Sequence, residues 1–268
     1  MNYPRPLISL TTWLLCVAVW AQTPTFPLPS VPDALQQEER LAYVLRHYWD
    51  NYQWDDHSDY NQQVGEQGLV DFLNLMQYAD SLTADGCAAS FVRQAFTSDE
   101  HRAHYGELLD HYLYNQHSPV RNDLVYAHLL RHLSSPSLMP DTAACQRYWY
   151  RLQQVEKNQV GTVATDLRVR GTDGRQHRLH EIRAPFTVLM FTDPDCGTCQ
   201  MTEEKMKHEP LLDDSCFKIV RVLLGDVPST YFVPFTPSFY LLDAEKRIVL
   251  KNATFEQMLQ TLRDIERK

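Results

Sequence analysis

Hydrophobic residues are spaced in two ways along this chain, and the change falls near Gly161. Over residues 32–159 they recur every three or four positions, which places them on one face of a helix. Leu41, Val44, Leu45, Tyr48, Trp49 and Tyr52 form the first stripe, and Asp33-x-x-Gln36 ahead of it reads as a helix start. Leu69, Phe72, Leu73, Met76 and Ala79 form a second stripe within 69–82. Thr97-Ser98-Asp99-Glu100 has the spacing of a capping box, and the helix it opens carries Tyr105, Leu108, Leu109, Tyr112 and Leu113. Asn122-Asp123 opens another, through Leu133. Asp141-Thr142 opens the last, with Tyr148, Trp149, Leu152 and Val155 on it. The stripes share no fixed period, so the pattern predicts an irregular all-α domain over 32–158 rather than a solenoid.

After Gly161 the period falls to two. Residues 164–170 alternate, Gly171-Thr172-Asp173-Gly174 is turn-forming, and 175–182 returns, which predicts a hairpin. Further strands are expected at 187–192, 217–224, 238–243 and 247–250, with a turn at Asp243-Ala244-Glu245-Lys246. Thr254 is the expected N-cap of a last helix reaching about residue 266. The whole therefore reads as a two-domain α+β protein, the second domain spanning 160–268.

The N-terminus carries one charge, Arg5, and an apolar run over 7–20 broken only by Ser9, Thr11 and Thr12. Val19-Trp20-Ala21 offers small residues where a signal peptidase reads, so 1–21 is expected to be a signal peptide cleaved before Gln22. The run is too short to span a bilayer comfortably. Cys16 sits where a lipid could be attached, yet Leu15 before it is larger than a lipoprotein signal prefers. The mature chain is expected in the periplasm or otherwise exported to the cell envelope, with no stable membrane span. Without Arg5, Lys+Arg falls from 25 to 24 against Asp+Glu 34, a net charge near −10. An acidic chain with no basic run argues against nucleic acid or an anionic membrane as partner. Of the 6 cysteines, removal of Cys16 leaves 5: Cys87, Cys145, Cys196, Cys199 and Cys216. In an oxidising compartment that odd number implies one thiol without an internal partner.

The densest chemistry is Phe191-Thr192-Asp193-Pro194-Asp195-Cys196-Gly197-Thr198-Cys199. It joins an apolar strand to a C-x-x-C, and a helix-forming run over 201–208 follows. A cysteine in the first helical turn meets unpaired N–H groups and the positive end of the dipole, both of which favour the nucleophilic thiolate. Farther on, Thr236-Pro237 opens another apolar strand. Strand, C-x-x-C, helix, strand and then Thr-Pro before a strand resembles the thioredoxin superfamily, from about Gly161 to the C-terminus. Gly161-Thr162-Val163-Ala164 resembles the G-x-x-A-x-D-F opening of periplasmic thioredoxin-like reductases, with Leu167 in place of the usual Phe. The resemblance implies that Cys196 attacks and Cys199 resolves. It also implies that the Thr236–Pro237 bond is cis, and that the Thr236 backbone pairs with an extended substrate. The expected partners are protein thiols or disulfides and an envelope redox protein, with no cofactor and no metal.

Three departures from that family pattern are visible. Asp195 stands where an aromatic residue usually precedes the first cysteine; its charge would oppose a thiolate unless its carboxylate caps the helix. Met190 occupies the position of the buried acid that assists proton transfer. Gly197-Thr198 is an unusual pair between the cysteines. The connection 225–236 is also short for the family and holds Pro228 and Pro234, so the second crossover should lack a full helix. Some of Tyr231, Phe232, Val233 and Phe235 within it are expected to fold back over the sheet, with the helical domain or a partner chain completing the cover. In the first half, Phe26-Pro27-Leu28-Pro29, His47-Tyr48-Trp49-Asp50, Tyr112-Leu113-Tyr114-Asn115 and Ser118-Pro119-Val120-Arg121-Asn122 resemble an uncharacterised helical domain found ahead of thioredoxin-like domains in exported bacterial proteins.

Other readings of the same residues remain. Cys196, Cys199, His208 and Cys216 have enough donors for a tetrahedral zinc site. The alternative for Cys196 and Cys199 is a purely structural bridge. His101, His104 and His111 share a helical face and His128 and His132 stand i, i+4, but neither set carries a completed metal motif. Cys87, placed before a helix, and Cys145, inside one, are expected to form a structural disulfide, leaving Cys216 as a buried odd thiol. The sequence thus points to an exported thiol–disulfide oxidoreductase; the alternative is an envelope docking module on the same fold.

Overall fold

The computed structural model describes residues 25–56, 58–170, 176–213 and 216–267. The expected signal peptide, Cys16 and the hairpin turn lie outside the described residues. Six helices build the first half: α1 (Gln37–Arg46), α2 (Asp59–Met76), α3 (Ser81–Ala95), α4 (Asp99–Leu109), α5 (Asp123–Leu133) and α6 (Thr142–Val155). Short polar side chains stop them fraying at the start. Ser58, Asp80, Ser98, Asn122 and Asp141 each accept a backbone N–H of the helix they precede. The Asp33 start is displaced: α1 is capped at Gln36, with Glu39 reaching back to the Gln36 N–H. It also ends early, at Arg46, so Tyr48, Trp49 and Tyr52 enter the core from turns.

The core of this half is largely aromatic. Trp49 lies edge-on to Phe72 and tilted against Trp54 and Phe91, with ring centroids 5.2–5.6 Å apart. Helix α3, with Cys87, Ala88, Phe91, Val92 and Ala95 buried, supplies a central face, and its small residues hid it in the pattern. Cys87 is therefore inside a helix, not ahead of one. After Leu109 the chain widens into a π-turn, Asp110–Tyr114, closed by Asn115 N–H to Asp110 O at 3.0 Å.

The second half is a six-stranded mixed sheet in the order β2-β1-β4-β3-β5-β6. Its strands are β1 (Arg168–Arg170), β2 (Gln176–Arg178), β3 (Phe186–Thr192), β4 (Phe217–Leu223), β5 (Ser238–Leu242) and β6 (Ile248–Ala253). Central β3 runs parallel to β4 through helix α7 (Gly197–Lys207) and antiparallel to β5. Its side chains alternate between two cores, which explains its nearly unbroken apolar run. Val188 and Met190 face helix α8 (Phe255–Glu266), where Phe255, Met258, Leu259 and Leu262 cover the sheet. Leu189 and Phe191 face the opposite way, onto Leu167, Leu179, Tyr240 and Tyr231.

The connection from β4 to β5 holds one short 3₁₀ turn, Leu224–Asp226, and no full helix. Tyr231 folds back as expected: its ring is buried against Phe191 and Tyr240, and its hydroxyl donates to the Thr165 carbonyl. Phe232 turns the other way and packs on the helical core. The Arg121 guanidinium, from the helical half, lies 5.6 Å from the Phe235 ring centroid. Strand β6 extends beyond 247–250 because Lys251 and Asn252 spend their polarity on the helical half. Lys251 Nζ donates to Val155 O at 2.6 Å and Lys157 O at 3.1 Å, and pairs with Asp123 at 3.0 Å.

Candidate redox site

At the C-terminal end of β3 the chain turns through Asp193-Pro194-Asp195 into α7. Asp193 Oδ1 accepts the Asp195 N–H at 2.9 Å, and its carbonyl accepts the Cys196 N–H at 3.1 Å. That turn makes Cys196, with extended dihedrals, the N-cap of α7. Its Sγ accepts the Cys199 N–H at 3.1 Å, taking up one of the helix's unpaired donors. Asp195 does not cap; it is exposed. Its repulsion of a thiolate is therefore weakened by water and salt.

Cys196 and Cys199 are joined by a disulfide, with Cα atoms 5.2 Å apart. The two sulfurs differ in access: Cys196 is half-buried, whereas Cys199 lies inside the first turn at 1 % exposure. The Thr236–Pro237 peptide bond is cis. It brings the Thr236 carbonyl oxygen 3.8 Å from Cys196 Sγ, so the two expected binding residues and the two cysteines meet in one place. Behind them Met190 is fully buried and faces Phe239 across the β3–β5 ladder.

Beside the disulfide opens a groove of about 470 Å³. It is lined by Thr198, Thr202 and Lys205 of α7, by the Phe235–Pro237 segment, by the start of α8, and by Gln116, His117 and Pro119 of the helical half. The sequence had marked Ser118-Pro119-Val120-Arg121-Asn122 only as a likeness, with no role attached.

Other expected groupings do not form. Cys87 and Cys145 are unbonded, correcting the structural disulfide. Cys145 Sγ instead donates to the Ser134 carbonyl at 2.9 Å, and Cys87 is buried within α3. Burial pushes the Cys87 thiol up to about 11, with Arg46 pulling the other way. Cys216 is exposed rather than buried. His208 is the exposed C-cap of α7, 3.3 Å from Glu204. His128 and His132 both face Asp85, at 3.3 and 3.4 Å. Among the described residues no three His, Cys, Asp or Glu side chains are placed to hold a metal ion.

A mixed sheet of this order, with a C-x-x-C at the β3–α7 junction opposite a cis proline, defines a thioredoxin-like fold with a helical half in front. Residues 9–158 match the family described as "Domain of unknown function (DUF5106)", and the chain belongs to it. A thioredoxin-like protein from Bacteroides caccae ATCC 43185 has the same fold over both halves. It is 24 % identical, with a TM-score of 0.70 over 90 % of this chain and 98 % of that one. A domain of a possible thiol-disulfide isomerase from Cytophaga hutchinsonii ATCC 33406 is 23 % identical, covering 41 % of this chain and 94 % of its own, with a TM-score of 0.35. The thioredoxin domain of a thiol-disulfide oxidoreductase from Bacteroides vulgatus is 18 % identical, with coverages of 40 % and 97 % and a TM-score of 0.34. No curated protein matches the chain in sequence.

Proposed function

We propose that this protein is an exported thiol–disulfide oxidoreductase that works through Cys196 and Cys199. The observation that carries the reading is the placement of Cys196. Its sulfur caps a helix, is the more accessible of the pair, and lies against the Thr236 carbonyl. From the disulfide form, a client thiolate attacks Cys196 Sγ, the S–S bond breaks, and Cys199 leaves as the thiolate. A second client thiolate then attacks the client sulfur of the mixed disulfide and releases Cys196 as a thiolate. The client loses two electrons to a new disulfide, and the protein gains them as a dithiol. Run backwards, the same steps reduce a client disulfide. An envelope dithiol or disulfide partner restores the starting state in either direction.

The chain's own groups assist in two ways. The N–H of Cys199 and the α7 dipole stabilise the Cys196 thiolate, which lowers its proton affinity and makes it a better leaving group. Met190, in the dry core behind, offers no proton relay, so the Cys199 proton must pass to client or water. Export is supported by the signal-like pattern of residues 1–21, and N-terminal sequencing of envelope protein should begin at Gln22.

The test uses insulin reduction with dithiothreitol. Cys196→Ala should abolish catalysis, and Cys199→Ser should accumulate a mixed disulfide with client. Cys216→Ala should stay within about twofold of wild type, because Cys216 has no helix N-terminus behind it. Undiminished catalysis in Cys196→Ala would defeat the assignment and leave the fold as a docking module.

A further inference from the structure

The groove beside the disulfide has walls from both halves of the molecule, and its lining says what it suits. Lys205 and Glu256 are its charged residues, one of each sign, so nothing in it selects a phosphate or another polyanion. Thr198, Thr202 and Gln116 offer hydroxyl and amide groups that both donate and accept, which fits the alternating groups of a peptide backbone. Phe235, Phe255 and Pro119 supply apolar surface for side chains between them. The volume of about 470 Å³ falls within the roughly 300–1,000 Å³ usual for binding clefts. Two of its lining residues adjoin the disulfide: Thr198 lies between the two cysteines in sequence, and the Thr236 carbonyl is 3.8 Å from Cys196 Sγ.

The helical wall is held, not draped. Its loop leaves the π-turn at Asn115, whose Oδ1 accepts the His117 N–H at 3.0 Å, and Gln116 Nε2 and His117 Nε2 lie 2.9 Å apart. Buried Ser118 receives the Val120 N–H at 3.4 Å and gives its carbonyl to the Arg121 N–H at 3.3 Å. Upstream, Arg151 grips Asp110 at the start of the π-turn. Downstream, Arg121 donates to Asn252 O at 3.4 Å, pairs with Asp123 at 3.4 Å and lies over Phe235. The loop is thus fixed to the segment that carries Thr236 and Pro237, so a ligand in the groove meets both halves at a set spacing.

We infer that this groove seats an extended, cysteine-bearing polypeptide, with Gln116 and His117 of the helical half gripping the chain beside the cysteine being exchanged. The inference rests on the oxidoreductase reading and gives the helical half a role in it, the selection of polypeptide clients over small disulfides. His117 is a positioning residue here, since it touches the client chain and not the reacting sulfurs.

His117→Trp fills the groove from an exposed loop position, and His117→Ala removes the contact. Insulin reduction by dithiothreitol and oxidation of the reduced protein by cystamine are measured for both variants, with thermal unfolding alongside. His117→Trp should raise the KM for insulin at least fivefold with kcat within about twofold, and His117→Ala should raise it less. The cystamine rate should stay within about twofold in both. An unchanged insulin KM with normal cystamine exchange overturns the inference alone, as does a parallel fall in both rates. Wild-type protein that exchanges with neither compound overturns the oxidoreductase reading beneath it.

Discussion

Cys87 and Cys145 show how much a residue's meaning depends on its neighbours. An expected export signal and an odd cysteine number make a disulfide between them reasonable from sequence alone. Each instead occupies a packed helix face, Cys145 giving its S–H to Ser134 O and Cys87 surrounded by the α3 core. A small thiol there behaves as a hydrophobe with a weak donor. Native protein should therefore resist alkylation at both, whereas unfolding in denaturant without reductant should expose both to iodoacetamide. Mass spectrometry finding them linked would reverse this. The Cys87 shift fixes a pH effect as well. Its thiol is held up to about 11 against an ordinary 9.0, so the neutral form is favoured by folding. That stability is complete below about pH 9 and is lost as pH rises through the folded value, because the unfolded chain releases its proton first. Cys87→Ala should flatten the earliest part of alkaline destabilisation, before the buried tyrosines join. Other residues were plain from sequence. The C-x-x-C and Thr236-Pro237 met because their neighbours, an apolar strand on one side and a helix start on the other, fix where each must lie.

Among the elements, those with strong caps or dense large residues were legible, and those whose signal came from tertiary packing were not. Helix α8 was placed almost to the residue, because Thr254 and Gln257 form a reciprocal capping box. Helix α3 was missed although Asp80 caps it, since alanines and Cys87 fill its buried face and give little pattern. The stripe from Leu41 to Tyr52 suggested one helix. Its aromatics are indeed buried, but a turn after Arg46 presents them to Phe72 and Phe91. Periodicity reports burial, and burial does not require a helix. The extension of β6 was invisible for the opposite reason: Lys251 and Asn252 look like loop residues until their partners arrive from 96 and 129 positions away. The α8 box offers a clean test. Thr254→Ala should cost about 1 kcal/mol of stability by leaving the Gln257 N–H without its side-chain acceptor, and Thr254→Ser should cost much less. Equal losses in both, measured by urea unfolding, would mean that the methyl group's packing and not the cap is what matters.

Across the whole molecule, the seam between the halves carries buried charge. Lys251 is 8 % exposed, and burial holds its ammonium below the usual lysine range although Asp123 and two carbonyls attend it. Asp123 also accepts from Asn252 Nδ2 at 3.3 Å and from Arg121, whose guanidinium reaches the Phe235 ring beside the redox site. Each member has a partner in the opposite half or in the loop between them, so the network ties the helical half to the sheet. Such a cluster gains little over a well-packed apolar seam, but losing one member leaves a buried charge unpaired. Lys251→Ala should therefore destabilise by about 3–5 kcal/mol, while Lys251→Met, which keeps the apolar stem and leaves Asp123 paired with Arg121, should cost clearly less. The same network makes the two halves unfold together. Wild-type protein should show one coincident transition by tryptophan fluorescence, which reports the helical half through Trp49 and Trp54, and by amide hydrogen exchange in β3 and β5 of the sheet. In Lys251→Ala the two signals should separate, the sheet keeping only the anchorage that Phe232 makes in the helical core. Coincident signals with an unchanged midpoint would show that apolar contact alone couples the halves, and that the buried ion pair sets their registration without adding to their stability.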